Sequence, residues 1–217
     1  MEKNRNAQII AVLALIVGVV GLSVGFAAFS NTLKIQTAAD VTPDKSSFDV
    51  DFSSSDTEVV TDEITPIATP NSLVTSKATI DNTNEPTISN LKATFTEPGQ
   101  KVVYSFYAFN KGQLDAYLKS IVYGNVTGQT ANKICTAGEG TTDALVQKAC
   151  NGISVKVKVG NEAETTGSAA SIINHSLLKS TSEPVVVTIE YQADADRADG
   201  DFTVSFGDIT LNYSSVD

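Results

Sequence analysis

Ile153-Ser154-Val155-Lys156-Val157-Lys158-Val159 decides the fold class. Every second residue is apolar and β-branched, and Ser154, Lys156 and Lys158 stand between them. Successive side chains of a strand point to opposite faces, so this period-2 pattern describes a strand with one face in a core and the other in water. On a helix the same residues would be scattered around the axis. Half-buried strands of this kind belong to antiparallel sheets.

The alternation spreads outward in both directions. Toward the N-terminus, Tyr104, Phe106 and Ala108 repeat it, as do Leu91, Ala93 and Phe95 against Lys92, Thr94 and Thr96. Val74, Ser76, Ala78 and Ile80 form another face, and Phe48, Val50 and Phe52 alternate with Asp49 and Asp51. Turn chemistry separates the runs at Thr42-Pro43-Asp44, Glu97-Pro98-Gly99, Asn110-Lys111-Gly112 and Ala198-Asp199-Gly200-Asp201. Toward the C-terminus, Val185, Val187, Ile189 and Tyr191 are expected to pair with Phe202, Val204 and Phe206 as a hairpin across Asp199-Gly200. The apolar phase then slips by one residue at Gly207-Asp208 before Ile209, Leu211 and Tyr213, which predicts a bulge or bend at Gly207. Short strands without a crossover helix indicate an all-β antiparallel sandwich of two sheets. The exception is Thr142–Cys150, where Ala144, Leu145, Lys148 and Ala149 suit a short helix. One sandwich domain is expected over residues 30–217, with residues 129–152 and 160–182 as loop excursions.

Residues 1–29 read differently. Lys3 and Arg5 precede Ile9–Phe29, a run without a charge. About 20 uncharged apolar residues match the thickness of a bilayer's hydrocarbon. Two fates stay open. A cleaved signal peptide has a basic start, an apolar stretch and a small-x-small exit, and Gly25-Phe26-Ala27 supplies that exit, placing cleavage at or near the Ala27-Ala28 bond. A retained transmembrane helix fits the length of the run equally well. In both cases the basic end stays inside and the rest lies outside, an extracellular or cell-surface location. Tyr213 is followed by no apolar tail, so membrane attachment is expected only through the N-terminal helix, before or without cleavage.

The chain carries a net charge of −10, with 18% charged residues and a pI near 4.5. Nucleic acid is a poor partner for such a surface, because its phosphates require Lys and Arg. Two cysteines, Cys135 and Cys150, in an exported chain predict one disulfide. Closing that loop stabilises the fold by about 3 kcal/mol in the chain-entropy account.

Catalytic chemistry is not expected. His175 is the only histidine and reads as an exposed loop residue, which removes two-histidine zinc motifs. The one cofactor candidate is calcium at Asp194, Asp196, Asp199 and Asp201, a cluster able to gather oxygen ligands. Its spacing departs from the EF-hand loop, with Ala198 in the fifth position, and an acidic, solvated hairpin tip is the competing reading.

Two stretches resemble the TasA/camelysin family of exported bacterial proteins. Gly25-Phe26-Ala27-Ala28-Phe29-Ser30-Asn31-Thr32 is similar to the exit of that family's leaders, which a SipW-type signal peptidase cuts, with Asn31 standing where the family has Asp. Tyr104–Ala116 resembles the strand, Asn-x-Gly turn and Asp-Ala strand start of the same family and its archaeal pilin-like relatives. The resemblance implies a jelly-roll-like sandwich that builds surface or biofilm-matrix fibres by donating an N-terminal strand to the next subunit. The residues suit that role independently. Leu33, Ile35, Ala39 and Val41 lie on one face of an alternating segment directly behind the leader. Such an arm (residues 30–41) can add to a neighbour's sheet edge, and unlike donor and acceptor surfaces let the contact propagate as a filament. Pairing of Leu33–Val41 within its own domain is the alternative. The expected function is therefore a fibre or pilus subunit of the cell surface. The other reading is a membrane-tethered module that binds a glycan or protein ligand.

Overall fold

The computed structural model describes residues 48–57, 63–83, 85–166 and 175–215. The leader, Ala27, Ala28 and the arm containing Leu33, Ile35, Ala39 and Val41 lie outside the described residues. All strand pairings within them are antiparallel, and the described chain is all-β apart from one helix, α1 (Asp143–Asn151). No helix among the described residues is long and apolar enough to cross a membrane.

The first layer is one sheet in the order β1 (Val50–Ser53), β8 (Lys101–Asn110), β14 (Ser182–Tyr191), β11 (Ile153–Val159) and β12 (Thr165–Thr166). β3 (Ile67–Thr69) pairs with the first residues of β8, on the same edge as β1. The alternation of β11, β14 and β8 buries Val155, Val157, Val185, Val187, Ile189, Tyr104, Phe106 and Ala108 on one face. This is the pattern that the opening stretch announces.

The second layer is creased. One sheet runs β10 (Lys133–Ala137), β15 (Phe202–Phe206), β7 (Lys92–Phe95) and β4 (Val74–Thr75). The other contains β13 (His175–Leu177), β9 (Ala116–Tyr123), β16 (Ile209–Ser214), β6 (Thr87–Ser89), β5 (Ala78–Asp81) and β2 (Glu63–Ile64). The order β10-β15-β7-β4 is continued as β9-β16-β6-β5, so the chain steps from one sheet to the other at Gly207-Asp208, at Asn90-Leu91 and at Ser76-Lys77. Backbone bonds stitch the step: Phe206 N–H to Leu91 O (3.0 Å), Gly124 N–H to Asp208 O (2.8 Å) and Ser76 N–H to Lys92 O (3.1 Å). Asn90 adopts a left-handed φ of 57°, which Asn tolerates better than most residues, and its Nδ2 donates to Lys77 O at 2.8 Å. From the opposite layer, the buried Tyr104 hydroxyl reaches into the step, 2.9 Å from Ser76 O and 3.2 Å from Lys92 O.

The layers meet over one apolar core. Phe95 and Phe202 of the second layer enclose Tyr191 of the first, with ring centroids 6.0 and 5.4 Å away and both pairs edge-on. Edge-on aromatic pairs contribute about 0.5–1.5 kcal/mol beyond the area they bury. The Asn110-Lys111-Gly112 turn is anchored internally. Asn110 Nδ2 donates to Leu114 O (2.9 Å) and Leu177 O (3.0 Å), and its Oδ1 accepts from Gly112 N–H (3.0 Å). A buried carboxamide with these partners leaves no donor unmet.

Three expectations change. The Val185–Tyr191 and Phe202–Phe206 strands are not a hairpin: β14 pairs with β8 and β11, while β15 pairs with β10 and β7. Gln192–Asp201 carries the chain from one layer to the other, and Tyr191 meets Phe202 across the core instead of across a ladder. Val74–Ile80 is not one strand, because the crease breaks it into β4 and β5, and Val74 is 70% exposed. The 160–182 excursion includes β12 and β13, and 129–152 includes β10 as well as α1. The bend expected at Gly207 is present, since β15 ends at Phe206 and β16 begins at Ile209.

A Cβ on Gly207 would stand 2.1 Å from Gly124 O and 2.5 Å from Asn125 C, both backbone atoms that cannot swing away. Gly207→Ala is therefore expected to cost at least about 2 kcal/mol, as overpacked cores do. Urea unfolding of the two proteins checks it.

Candidate functional site

Cys135 on β10 and Cys150 on α1 form the expected disulfide. It ties the helix to the sheet edge, and two polar contacts repeat the tie. Gln147 Nε2 donates to Cys135 O at 3.4 Å, and Lys133 Nζ donates to Cys150 O (2.8 Å) and Ile153 O (2.5 Å) at the helix end. A cation at a helix C-terminus meets the negative end of its dipole. Burial pulls the Lys133 ammonium below its usual pKa.

The four aspartates separate in role. Asp199 accepts from the Thr142 N–H (2.9 Å) and Thr142 hydroxyl (2.6 Å) at the start of α1, and these bonds hold its carboxyl below the usual range. The backbone carbonyl of Asp196 accepts from the Tyr191 hydroxyl at 2.5 Å. Among the described residues no three carboxylate, histidine or cysteine groups stand together as a cation would need, Asp194 and Asp201 included.

His175 is not an exposed loop residue. It opens β13, and its side chain is only 14% exposed. Nδ1 lies 3.0 Å from Glu162 Oε1, and Nε2 contacts Glu183 Oε2. Glu183, 8% exposed on β14, accepts with its other oxygen from the Tyr213 hydroxyl on β16 at 3.2 Å. Two layers are thus joined through one imidazole. The cluster walls an open hollow of about 460 Å³ with Gly160, Ser176, Ser182 and Pro184. Sequence pattern had one clue to this arrangement: Glu183 falls where the Val185–Tyr191 alternation continues inward, and a buried carboxylate requires a partner.

Burial pulls His175 down, but hydrogen bonds and charge from Glu183 and then Glu162 outweigh it, so the imidazole titrates above its usual 6.5. Glu183 is raised by burial against the opposing bonds from His175 and Tyr213, and burial lifts Tyr213 well above the phenolic range. With a carboxylate at each nitrogen, the imidazolium is the form that donates twice.

The sheet edges differ in how they are closed. α1 and the disulfide cover β10. Asn82 closes β1 by imitating a neighbouring strand: its Oδ1 accepts from Phe52 N–H (2.7 Å) and its Nδ2 donates to Phe52 O (2.9 Å). The Glu63–Lys77 pair at 2.8 Å puts charge on β2. Asn110 takes the Leu177 carbonyl of β13, and the Tyr123 hydroxyl lies 3.4 Å from Thr165 O of β12. β3 and β4 have no comparable cover among the described residues. No family model, curated protein or solved structure matches the chain at a significant level.

An imidazolium whose pKa rises on folding contributes stability that is complete below the unfolded value near 6.5 and is lost as pH climbs through the folded value. The lone imidazole is expected to titrate by NMR with a midpoint above 6.5. Urea stability should fall across that window in the parent protein, relative to His175→Asn. Equal slopes in both proteins would remove the charge from the cluster.

Proposed function

We propose that this protein is an exported structural subunit of the cell surface, building a fibre, pilus or matrix filament by donating Leu33–Val41 to the next copy. The observation that carries the proposal is the order of three segments: uncharged Ile9–Phe29, then the alternating arm, then the sandwich. A leader and an extended arm in that order link export to assembly. Cleavage at Ala27-Ala28 frees the arm, while retention of the N-terminal helix keeps a monomer at the membrane. The likeness of Gly25–Thr32 and Tyr104–Ala116 to the TasA/camelysin family supports this reading, and a jelly-roll-like arrangement of the two layers belongs to it. The Asn110 anchor adds a physical reason for the second motif, since that carboxamide fixes the turn between β8 and β9. No cofactor or catalytic step is part of the proposal.

A tethered module that binds a glycan or protein is the second reading, and the polar hollow beside His175 favours it. Retention of the leader separates the two. Intact mass of the extracellular form is expected to show loss of residues 1–27, and electron microscopy of that form to show filaments. Deleting residues 30–41 should abolish filaments and leave the thermal unfolding transition of the sandwich in place. A processed form that stays monomeric at high concentration defeats the fibre proposal, and filaments that survive the deletion defeat strand donation.

A further inference from the structure

We infer that the flank formed by β3, β4 and the turn between them receives Leu33–Val41 of a second copy; the inference rests on the strand-donation reading and names its acceptor. Ile67 on β3 is 69% exposed and Val74 on β4 is 70% exposed, the most exposed large apolar side chains among the described residues. From Ile64 to Ser76 the sequence contains no charge, in a chain whose net charge is −10. Open edges are normally protected by charge, a covering element or a bulge. The other edges follow that rule: α1 on β10, Asn82 on β1, Glu63 and Lys77 on β2, the Asn110 carboxamide at β13 and the Tyr123 hydroxyl at β12. Among the described residues this flank has only Pro66 and Pro70, which bound β3 and leave Ile67–Thr69 between them.

The flank also has something to gain from an added strand. Ala68 and Leu73 are partly buried against the core at its rim. A strand laid beside β3 places alternate side chains inward, so Leu33, Ile35, Ala39 and Val41 would extend the core over Ala68 and Leu73. Outward neighbours would lie beside Ile67. Lys34 and Asp40 balance in charge, so the arm meets an uncharged surface as an electrically neutral segment.

The position of β1 argues for a second copy over the same chain. The arm precedes β1 by eight residues, and the shortest way to satisfy it would be a hairpin back onto β1. That edge is occupied at Phe52, where the Asn82 carboxamide already fills both the N–H and the C=O. With Phe52 already partnered, the uncovered flank of another subunit is the acceptor this proposal assigns to the arm.

The test uses the processed full-length protein and two families of variants. Ile67→Lys with Val74→Lys is expected to lose filaments more than tenfold by sedimentation while keeping the parent's melting transition. Ile67→Glu with Val74→Glu should do the same, which excludes an effect tied to one sign of charge. Because these variants keep a working arm, each should cap parent filaments at substoichiometric ratio. Mixed with the residue 30–41 deletion, which keeps a working flank, they should form one-to-one heterodimers and nothing longer. Parent filaments with undiminished assembly of both double variants overturn the acceptor assignment and leave strand donation standing. Absence of filaments in the parent itself overturns the underlying reading. Filaments that form without the arm but need Ile67 and Val74 would make the flank a contact between folded domains, and also overturn the assignment.

Discussion

Everything in the second layer depends on one close approach of backbone to backbone. At Gly207 the chain passes so near Gly124 and Asn125 that a side chain has no room. The approach lets β15 stop and β16 restart with the opposite residue parity, keeping Phe202, Val204 and Phe206 and then Ile209 and Leu211 all buried. A straight strand would have turned one of these groups to water, since a one-residue slip exchanges the faces. Neighbouring strands must then break at the same level, which Asn90 does with a left-handed φ and Ser76 with its bond to Lys92 O. Tyr104 closes the crease from the other layer. Its hydroxyl donates to Ser76 O and lies 3.2 Å from Lys92 O, which also accepts from Ser76 N–H, and a buried carbonyl without a donor costs about 1–3 kcal/mol.

The polar groups of the interior follow the same logic of required partners. Asn110 fixes the β8 turn, Lys133 closes the end of α1, and Glu183 sits between His175 and Tyr213. The first two bond to main chain and serve local geometry. The third joins side chains from both layers through an imidazole whose pKa its two carboxylate partners raise, so its charge is coupled to the contact between the layers.

Legibility in the sequence tracks how local the cause is. The all-β class, the buried face of β11, the short helix and the Gly207 bend are each visible within a few residues, because period, turn chemistry and phase are local, and the disulfide follows from the cysteine count alone. Pairing is not local. Val185–Tyr191 and Phe202–Phe206 looked like hairpin partners because they are neighbours in sequence, whereas burial needed them in opposite layers. The exposure of Val74 is hidden for a related reason: its alternation with Ser76, Ala78 and Ile80 is intact in the sequence, but the crease falls within the run. The setting of His175 is illegible in the sequence because its partners, Glu162 and Glu183, lie outside its own strand and only the fold brings them together. The bonds from Thr142 to Asp199 at the start of α1 are illegible for the same reason, since 57 residues separate the two.

The proposed assembly has an electrostatic constraint that bears on where subunits can meet. Copies of an acidic chain repel one another, and the repulsion between exposed charges persists over roughly 8 Å at physiological ionic strength. A propagating contact must therefore use surface where charge is sparse, or pair acidic with basic groups. Lys and Arg number 15 against 25 Asp and Glu, so pairing over a large face leaves acidic groups in excess. The uncharged Ile64–Ser76 flank would remove the difficulty locally, and donation of a segment with no net charge would keep the contact itself free of the repulsion. In the proposed assembly, net charge on the bodies and its absence on the balanced arm and the uncharged flank would act together: the first would keep folded domains from aggregating face to face, and the second would leave one geometry of association open.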